Sequence, residues 1–320
     1  MTNINIEKDS IGKRVDLLAL EELKKVENNL AVTRSQIAQY IPRFVLVNNK
    51  SVKKGYSIRE HDNLQINIEG LISEVSKKLI SIDDKIEPLD KEMEIIEESS
   101  DWMVINKPHG VAVHPGVGNE NNTIANMVKF YLQNKNEFDG TVARAGIVHR
   151  LDKGVGGLMI IAKNRKTQLY LQKQFEDRNV TKLYLAEIKK IKEDLPETKY
   201  ELSEEVKKFV DSKFSIDERW IKVEGYIARQ ASNRMIMQIN DYYKGKNCLS
   251  YLLPVNGNKV LIKLETGRMH QARASIRSLG WVIVGDKLYG DEQGSGDIKL
   301  DQVLLSLPIS DGNRKTWRLV

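Results

Sequence analysis

The sequence predicts an α+β protein in two parts, a small N-terminal unit and a larger domain around a mixed, mostly antiparallel sheet. Three observations support this. Residues 11–68 carry two helical periodicities followed by two alternating, strand-like patterns. Residues 73–99 alternate in charge and offer little to build a core, which marks a linker. Beyond residue 100, apolar runs at 102–105, 158–162 and 260–264 alternate with amphipathic helical patterns. The expected divisions are therefore 1–72, 73–99 and 100–320.

Composition sets the outer bounds. At 320 residues the chain can hold two domains with cores of their own, and 41% hydrophobic residues place it among soluble globular proteins. A formal net charge of +6 points to a polyanionic partner, nucleic acid before a membrane surface. Cys248 is the single cysteine, which excludes an intrachain disulfide and fits a reducing compartment. The first residues carry acids and no apolar leader core, and no later apolar run could span a bilayer. The expected location is cytoplasmic, with no membrane partner. Five scattered histidines beside one cysteine have no metal-site spacing, so no metal is expected.

In the N-terminal unit, Val15, Leu18, Ala19, Leu23 and Val26 recur at helical spacing, and the polar stretch 26–30 follows them. A second helical pattern opens at Thr33, runs through Ile37, Ala38 and Ile41, and is closed by Pro42. Val45 and Val47 then alternate into the turn Asn48-Asn49-Lys50, and Leu64, Ile66 and Ile68 alternate again. Lys13, Arg14, Arg34, Arg43, Lys50, Lys53 and Lys54 fall in this unit with few acids around the hairpin, a pattern suited to phosphate contact.

In the larger unit, Trp102–Ile105 reads as a buried strand. It enters a path from Lys107-Pro108-His109-Gly110 to His114-Pro115-Gly116 that its prolines and glycines make rigid, for which a structural role is expected. Residues 123–132 and 166–175 read as helices, and 180–188 as a strand holding Tyr184. A charged helix near 203–210 and strands near 223–227, 235–239 and 248–252 follow. Val260–Leu264 is a strong strand that delivers Glu265–Arg273 into a helix reaching Leu279, and strands at 303–307 and 316–319 flank a turn at 311–313.

Chemistry concentrates between these elements. The buried-strand pattern at 158–162 is preceded by a glycine-rich turn, and that turn by Asp152 with His149, Arg150 and Lys153 beside it. Charge displayed on a loop next to a buried strand is a common setting for catalysis, which makes Asp152 the first candidate.

The segment His149-Arg150-Leu151-Asp152-Lys153, with Gly157-Leu158-Met159 and Ala162-Lys163, resembles the His-Arg-Leu-Asp signature of RNA pseudouridine synthases of the RluA type. Lys107-Pro108 to His114-Pro115-Gly116, Lys182-Leu183-Tyr184-Leu185-Ala186, and Thr266-Gly267-Arg268 to Arg273 resemble further motifs of that family in the same order. Gly12-Lys13-Arg14-Val15-Asp16, Thr33–Ile37 and Val47–Lys50 resemble the RNA-binding module of small-subunit ribosomal protein S-four, which commonly precedes such a catalytic domain.

The resemblance implies isomerisation of uridine to pseudouridine in structured RNA without metal or organic cofactor, in a pseudouridine synthase fold. It makes Asp152 the catalytic carboxylate, Arg273 its charge partner, and Tyr184 the ring against the extruded uracil. Arg150 would fill the vacated stack, His149 and Arg268 would contact substrate or brace its loop, and Lys13, Arg14, Arg34 and Lys50 would bind phosphate. Spacing around Val113–Asn119 and Arg144–Ile147 most resembles the large-subunit ribosomal RNA enzymes of RluD type. The expected partner is that RNA or a pre-ribosomal particle, and the protein is expected to be a monomer.

The likeness departs at Gly154-Val155-Gly156-Gly157, where the family usually carries Asp-Thr-Ser/Thr-Gly. A carboxylate and two hydroxyls are lost from the turn behind Asp152, and added glycines predict a looser one. The alternative on that ground is a catalytically degenerate RNA-binding or ribosome-assembly protein. A glycosidase acting on free sugars is disfavoured, since its second carboxylate has no visible counterpart.

Overall fold

The computed structural model describes residues 1–26, 34–75, 86–189, 198–199, 207–210, 219–241, 244–255, 257–291, 294, 296–309 and 312–319. Residues 27–30 of the polar stretch, Thr33, residues 203–206 of the charged helix and part of the turn 311–313 lie outside them. The chain divides into Met1–Glu87 with Asp139–Arg144, and Pro88–Phe138 with Ala145–Val320.

In the N-terminal unit, α1 (Val15–Val26) buries Val15, Leu18, Ala19 and Leu23, as its spacing predicts. Short helices α2 (Arg34–Ala38) and α3 (Ile41–Phe44) follow, and residues 68–75 form α4. Pro42 does not close a helix as expected. It sits in the first turn of α3, where its missing N–H forfeits no helical bond. Four antiparallel strands, β1 (Thr2–Ile4), β2 (Val45–Val47), β3 (Lys50–Ser51) and β4 (Leu64–Ile66), lie in the order β1-β4-β2-β3. The expected turn is a two-residue hairpin in which Asn48 and Asn49 both take positive φ, 52° and 60°, the conformation that suits the strand twist and that Asn tolerates.

The larger unit is built on a 12-stranded sheet. Its strands include β5 (Glu94–Glu98), β6 (Trp102–Lys107), β7 (Gly156–Ala162), β8 (Thr181–Lys189) and β9 (Thr198–Lys199). After the helical residues 207–210 come β10 (Arg219–Arg229), β11 (Met237–Asn240), β12 (Lys246–Val255), β13 (Lys259–Leu264), β14 (Val282–Ile283), β15 (Leu300–Pro308) and β16 (Arg314–Arg318). The main path is β11-β10-β12-β13-β8-β15-β7-β6-β5. Among the described residues its one parallel pairing is β15 with β7, and every other is antiparallel, which bears out the mixed sheet.

Every residue of β7 is buried, which explains why its sequence runs apolar without alternation. Leu158, Ile160 and Ala162 face a core with Trp102, Leu305 and Trp317. Each large apolar side chain there contributes about 1.5–3 kcal/mol, and Ile160→Ala would cost about 2–5 kcal/mol. The acidic run read as linker instead forms the edge strand β5 on β6, because its acids find partners: Glu98 accepts from Tyr131, Lys135 and Lys163, and Glu97 from Lys315 and Trp317. Helices α5 (Ile124–Asn134), α6 (Arg165–Glu176) and α8 (Gln271–Ser278, counting 207–210 as α7) stand where helical periodicity placed them. Among the described residues no helix is long and apolar enough to cross a membrane.

Candidate active site

Asp152 lies in the turn that feeds β7. Leu151 and Val155 on either side of it are buried, and the Val155 amide donates to the Asp152 carbonyl at 3.0 Å, so apolar burial and a local turn fix the backbone. Beneath the turn, the Lys107 ammonium donates to the carbonyls of Pro108 (2.8 Å), Val111 (2.7 Å) and Lys153 (3.3 Å). Burial pushes this amine down to about 8, against the pull of Asp152, Asp301 and Asp297. The lysine-proline loop thus has the structural role expected of it, with the lysine as its pin.

The glycine-rich turn is closely packed. A Cβ on Gly154 would stand 2.6 Å from the Ile298 side chain, and one on Gly156 2.3 Å from Asp301 Oδ1. Gly157, at φ +108°, would drive a Cβ to 2.5 Å from the backbone of Gln302. Close approach to the β15 backbone requires glycine at 157, while at 154 and 156 the space is taken by the side chains of Ile298 and of Asp301 and His109, so the glycines expected to loosen the turn are packed against their neighbours.

A cavity of about 500 Å³, within the 300–1,000 Å³ range of small-molecule sites, opens on Asp152. Its carboxylate is 20% exposed, with Oδ2 at 3.9 Å from Nη1 of Arg273 and from Nε2 of His270. Arg273 comes from α8 and is held by Asp286, to which its Nε and Nη2 each donate at 2.7 Å. Burial opposes the charge of this guanidinium, but the Asp286 hydrogen bonds override it and raise its pKa. Its plane lies over the Tyr289 ring at 4.5 Å. Arg273 is therefore a fixed positive group beside Asp152 rather than a swinging one.

His270 caps α8 in the left-handed region, φ +54°, and places Nδ1 3.2 Å from the Tyr289 hydroxyl. Burial lowers its pKa while Asp152 pulls the other way. Its place in the site is not legible in the sequence, since nothing there signals the left-handed turn that aims it. Tyr184 on β8 is buried in the cavity wall, and burial followed by the Asp152 charge raises its phenol above the ordinary value. A phenol held protonated suits ring contact and hydrogen-bond donation better than proton abstraction.

His149 lines the cavity, yet its Nε2 accepts a hydrogen bond from the Ile160 amide at 3.0 Å and its ring stacks on Phe175 at 4.5 Å. Burial, then the charge of Lys182, pushes it down to about 3, in keeping with an unprotonated acceptor nitrogen. It braces β7 rather than offering a free group. Arg150 is exposed at the rim, and Arg268 donates to the Asn247 carbonyl at 2.9 Å while lining the wall. Arg178 and Lys182, not singled out by sequence, add cations to the same wall.

The other expected RNA contacts belong to the N-terminal unit. Arg14 is bidentate on the buried Asp16 (3.0 and 2.7 Å), Arg34 stands 3.8 Å from the same carboxylate, Lys13 is 3.5 Å from Asp9, and Lys50 is exposed on β3. Among the described residues no cluster of His, Cys, Asp and Glu could hold a metal ion.

Comparison with known proteins gives the family. The family model described as RNA pseudouridylate synthase matches residues 101–278, more than half of the 320. The chain belongs to that family. Ribosomal large subunit pseudouridine synthase D of Zymomonas mobilis is 33% identical over 208 residues, 64% of this chain and 58% of that protein. Its namesake in Borreliella burgdorferi is 29% identical over 270 residues, 82% of this chain and 73% of that protein. Human RNA Pseudouridylate Synthase Domain Containing 1 superposes with a TM-score of 0.52 at 22% identity, covering 73% of this chain and 86% of that one, a likeness of fold. Membership of this synthase bears out the resemblance drawn from its motifs, and with it an isomerase acting on RNA.

Proposed function

We propose that this synthase isomerises uridine to pseudouridine in large-subunit ribosomal RNA, with Asp152 as the reacting carboxylate. One observation carries the reading: Asp152 Oδ2 stands 3.9 Å from a guanidinium and from an imidazole, at the mouth of a cavity walled by Tyr184. The RNA assignment is supported by the names of the Zymomonas and Borreliella relatives.

The reaction breaks the C1′–N1 bond, turns the uracil, forms C1′–C5, and exchanges the C5 proton for one on N1, with no net change in atoms or redox state. Positive charge develops at C1′, where an ionised carboxylate stabilises it, attacks it or takes the 2′ proton. Arg273 sets a positive charge 3.9 Å from Asp152. Tyr184 lies against the extruded ring, and Arg150 fills the space it leaves; extrusion costs a few kcal/mol, offset by phosphate contacts from Arg268, Arg178 and Lys182. Residues 1–72 add sequence-independent affinity through Lys13, Arg14, Arg34 and Lys50, and residues 100–320, joined by the edge strand β5 from the stretch read as linker, carry the chemistry. The same reading makes the protein a cytoplasmic monomer.

Mapping pseudouridine after deletion of the gene tests this. A small set of large-subunit uridines loses modification and regains it with wild type but not with Asp152→Asn. Unchanged modification in every RNA overturns the reading. The degenerate binding role was argued from the glycines of the turn, and their tight packing gives it no support.

A further inference from the structure

The turn behind Asp152 supplies no polar side chain of its own between residues 154 and 157. His109 supplies a side-chain contact to it from the neighbouring loop. Nδ1 of that ring lies 2.7 Å from the Gly154 carbonyl and Nε2 lies 2.8 Å from Oδ1 of Asp301 on β15. A carbonyl and a carboxylate oxygen accept but do not donate, and a neutral imidazole has one N–H for the two. One contact would then oppose two lone pairs at under 3 Å. Only the doubly protonated ring satisfies both.

We propose that His109 is a positioning residue for Asp152, an imidazolium that ties the catalytic turn to β15 and holds the carboxylate at the cavity mouth. The bridge stands at the seam where β15 and β7 pair in parallel over Asp301–Gly156 and Gln302–Gly157. It also occupies the space beside Gly156, where a Cβ would fall 2.3 Å from Asp301 Oδ1 and 2.6 Å from His109 Nε2. Glycine at 156 thus leaves the space that the His109–Asp301 bridge fills.

The groups facing the ring set its titration. Asp301 on β15 is its ion-pair partner, Asp297 lies on the approach to β15, and on its own loop the Lys107 ammonium is turned onto backbone carbonyls. The Asp301 hydrogen bond raises the imidazole pKa most, burial opposes it, and the Gly154 carbonyl and both aspartate charges add to the rise. A group raised in the folded state contributes fully below its unfolded value, about 6.5, and is lost as pH climbs through the raised one. The clamp therefore opens on the alkaline side.

The inference rests on the reading of Asp152 as the reacting group, so its test has a readout apart from turnover. In protein with 15N-labelled histidine, both ring nitrogens of His109 carry protons at pH 7, and the titration midpoint lies above 6.5 and falls in Asp301→Asn. In His109→Ala the Val155 amide, which closes the Asp152 turn, exchanges with solvent at least about tenfold faster. Turnover drops about 10- to 100-fold with KM nearly unchanged, the scale of a misplacement near 1 Å. His109→Gln, which still donates one bond, recovers part of kcat and loses the alkaline limb that tracks the His109 titration. A ring with a single proton at pH 7, or His109→Ala with wild-type Val155 exchange, overturns the clamp. Full activity of Asp152→Asn would instead remove the functional reading, while ring titration and Val155 exchange still decide the clamp.

Discussion

Replacing Asp286 with asparagine removes a charge and almost no volume, and it strands the guanidinium of Arg273. In the native protein both Arg273 donors meet Asp286 oxygens at 2.7 Å, and the two side chains are 7% and 0% exposed, so water cannot supply the lost acceptor. The Tyr289 amide, 3.2 Å from Oδ1, loses part of its partner too. Breaking one side of such a buried pair costs about 3–5 kcal/mol. With a urea slope of about 3 kcal/mol/M, the unfolding midpoint falls by about 1–2 M. Turnover falls about 10²-fold as well, because the guanidinium no longer holds its place 3.9 Å from Asp152. The double variant Arg273→Met with Asp286→Leu separates the two effects. A buried apolar pair is often as stable as the ion pair it replaces, so this variant regains the midpoint and stays inactive. A shift under about 0.5 kcal/mol in Asp286→Asn, or wild-type turnover in the double variant, refutes the reasoning.

Tyr184→Phe keeps the buried ring, and with a phenol already held protonated it loses no more than about tenfold in kcat, whereas removal of a general base costs about 10²–10⁴-fold; a hundredfold loss in single-turnover assays would assign the hydroxyl to proton transfer. Glu98 is pushed up by burial, but hydrogen bonds from Lys135, Tyr131 and Lys163 leave it at about 2, so its contribution, whole above about 4.5, drains away as pH falls toward 2. Acid titration followed by circular dichroism should show that loss in wild type and a flatter profile in Glu98→Gln. In the N-terminal unit, Lys50→Ala lowers the salt dependence of RNA binding by about 0.7–0.9 in log–log slope without touching stability. Arg14→Ala also lowers the melting temperature of that unit, because it uncovers the buried Asp16; equal melting temperatures for the two variants would count against this added role.

Elements whose burial is local were legible. The run Leu158–Ala162, short and bounded by a glycine turn, reads as a strand buried on both faces, and Val15, Leu18, Ala19 and Leu23 share a helix face by their spacing. The edge strand β5 was not, because Glu94, Glu97 and Glu98 carry the signature of solvent until Asn106, Lys163 and Lys315 are known to stand opposite them. Pro42 misled for a related reason: the same ring ends one helix or begins the next, and only the backbone decides.

The candidate site divides along the same line. Asp152 and Tyr184 were found because each sits in a short motif, but the residues that aim them come from distant stretches. Asp286 lies 13 positions beyond Arg273, and Asp301 lies 192 beyond His109. Register explains how they meet. Gly157 on β7 pairs with Gln302 on β15, Gln302 with Tyr184 on β8, and Tyr184 with Ile262 on β13, so one row across four strands joins the catalytic turn, the wall of the cavity and the strand leading to Arg273. The parallel seam between β7 and β15 is what closes that row. It requires glycine at 157, and glycine at 156 leaves the space that Asp301 and His109 fill, so residues that read in sequence as a weakened turn are the ones that let the two halves of the site come together.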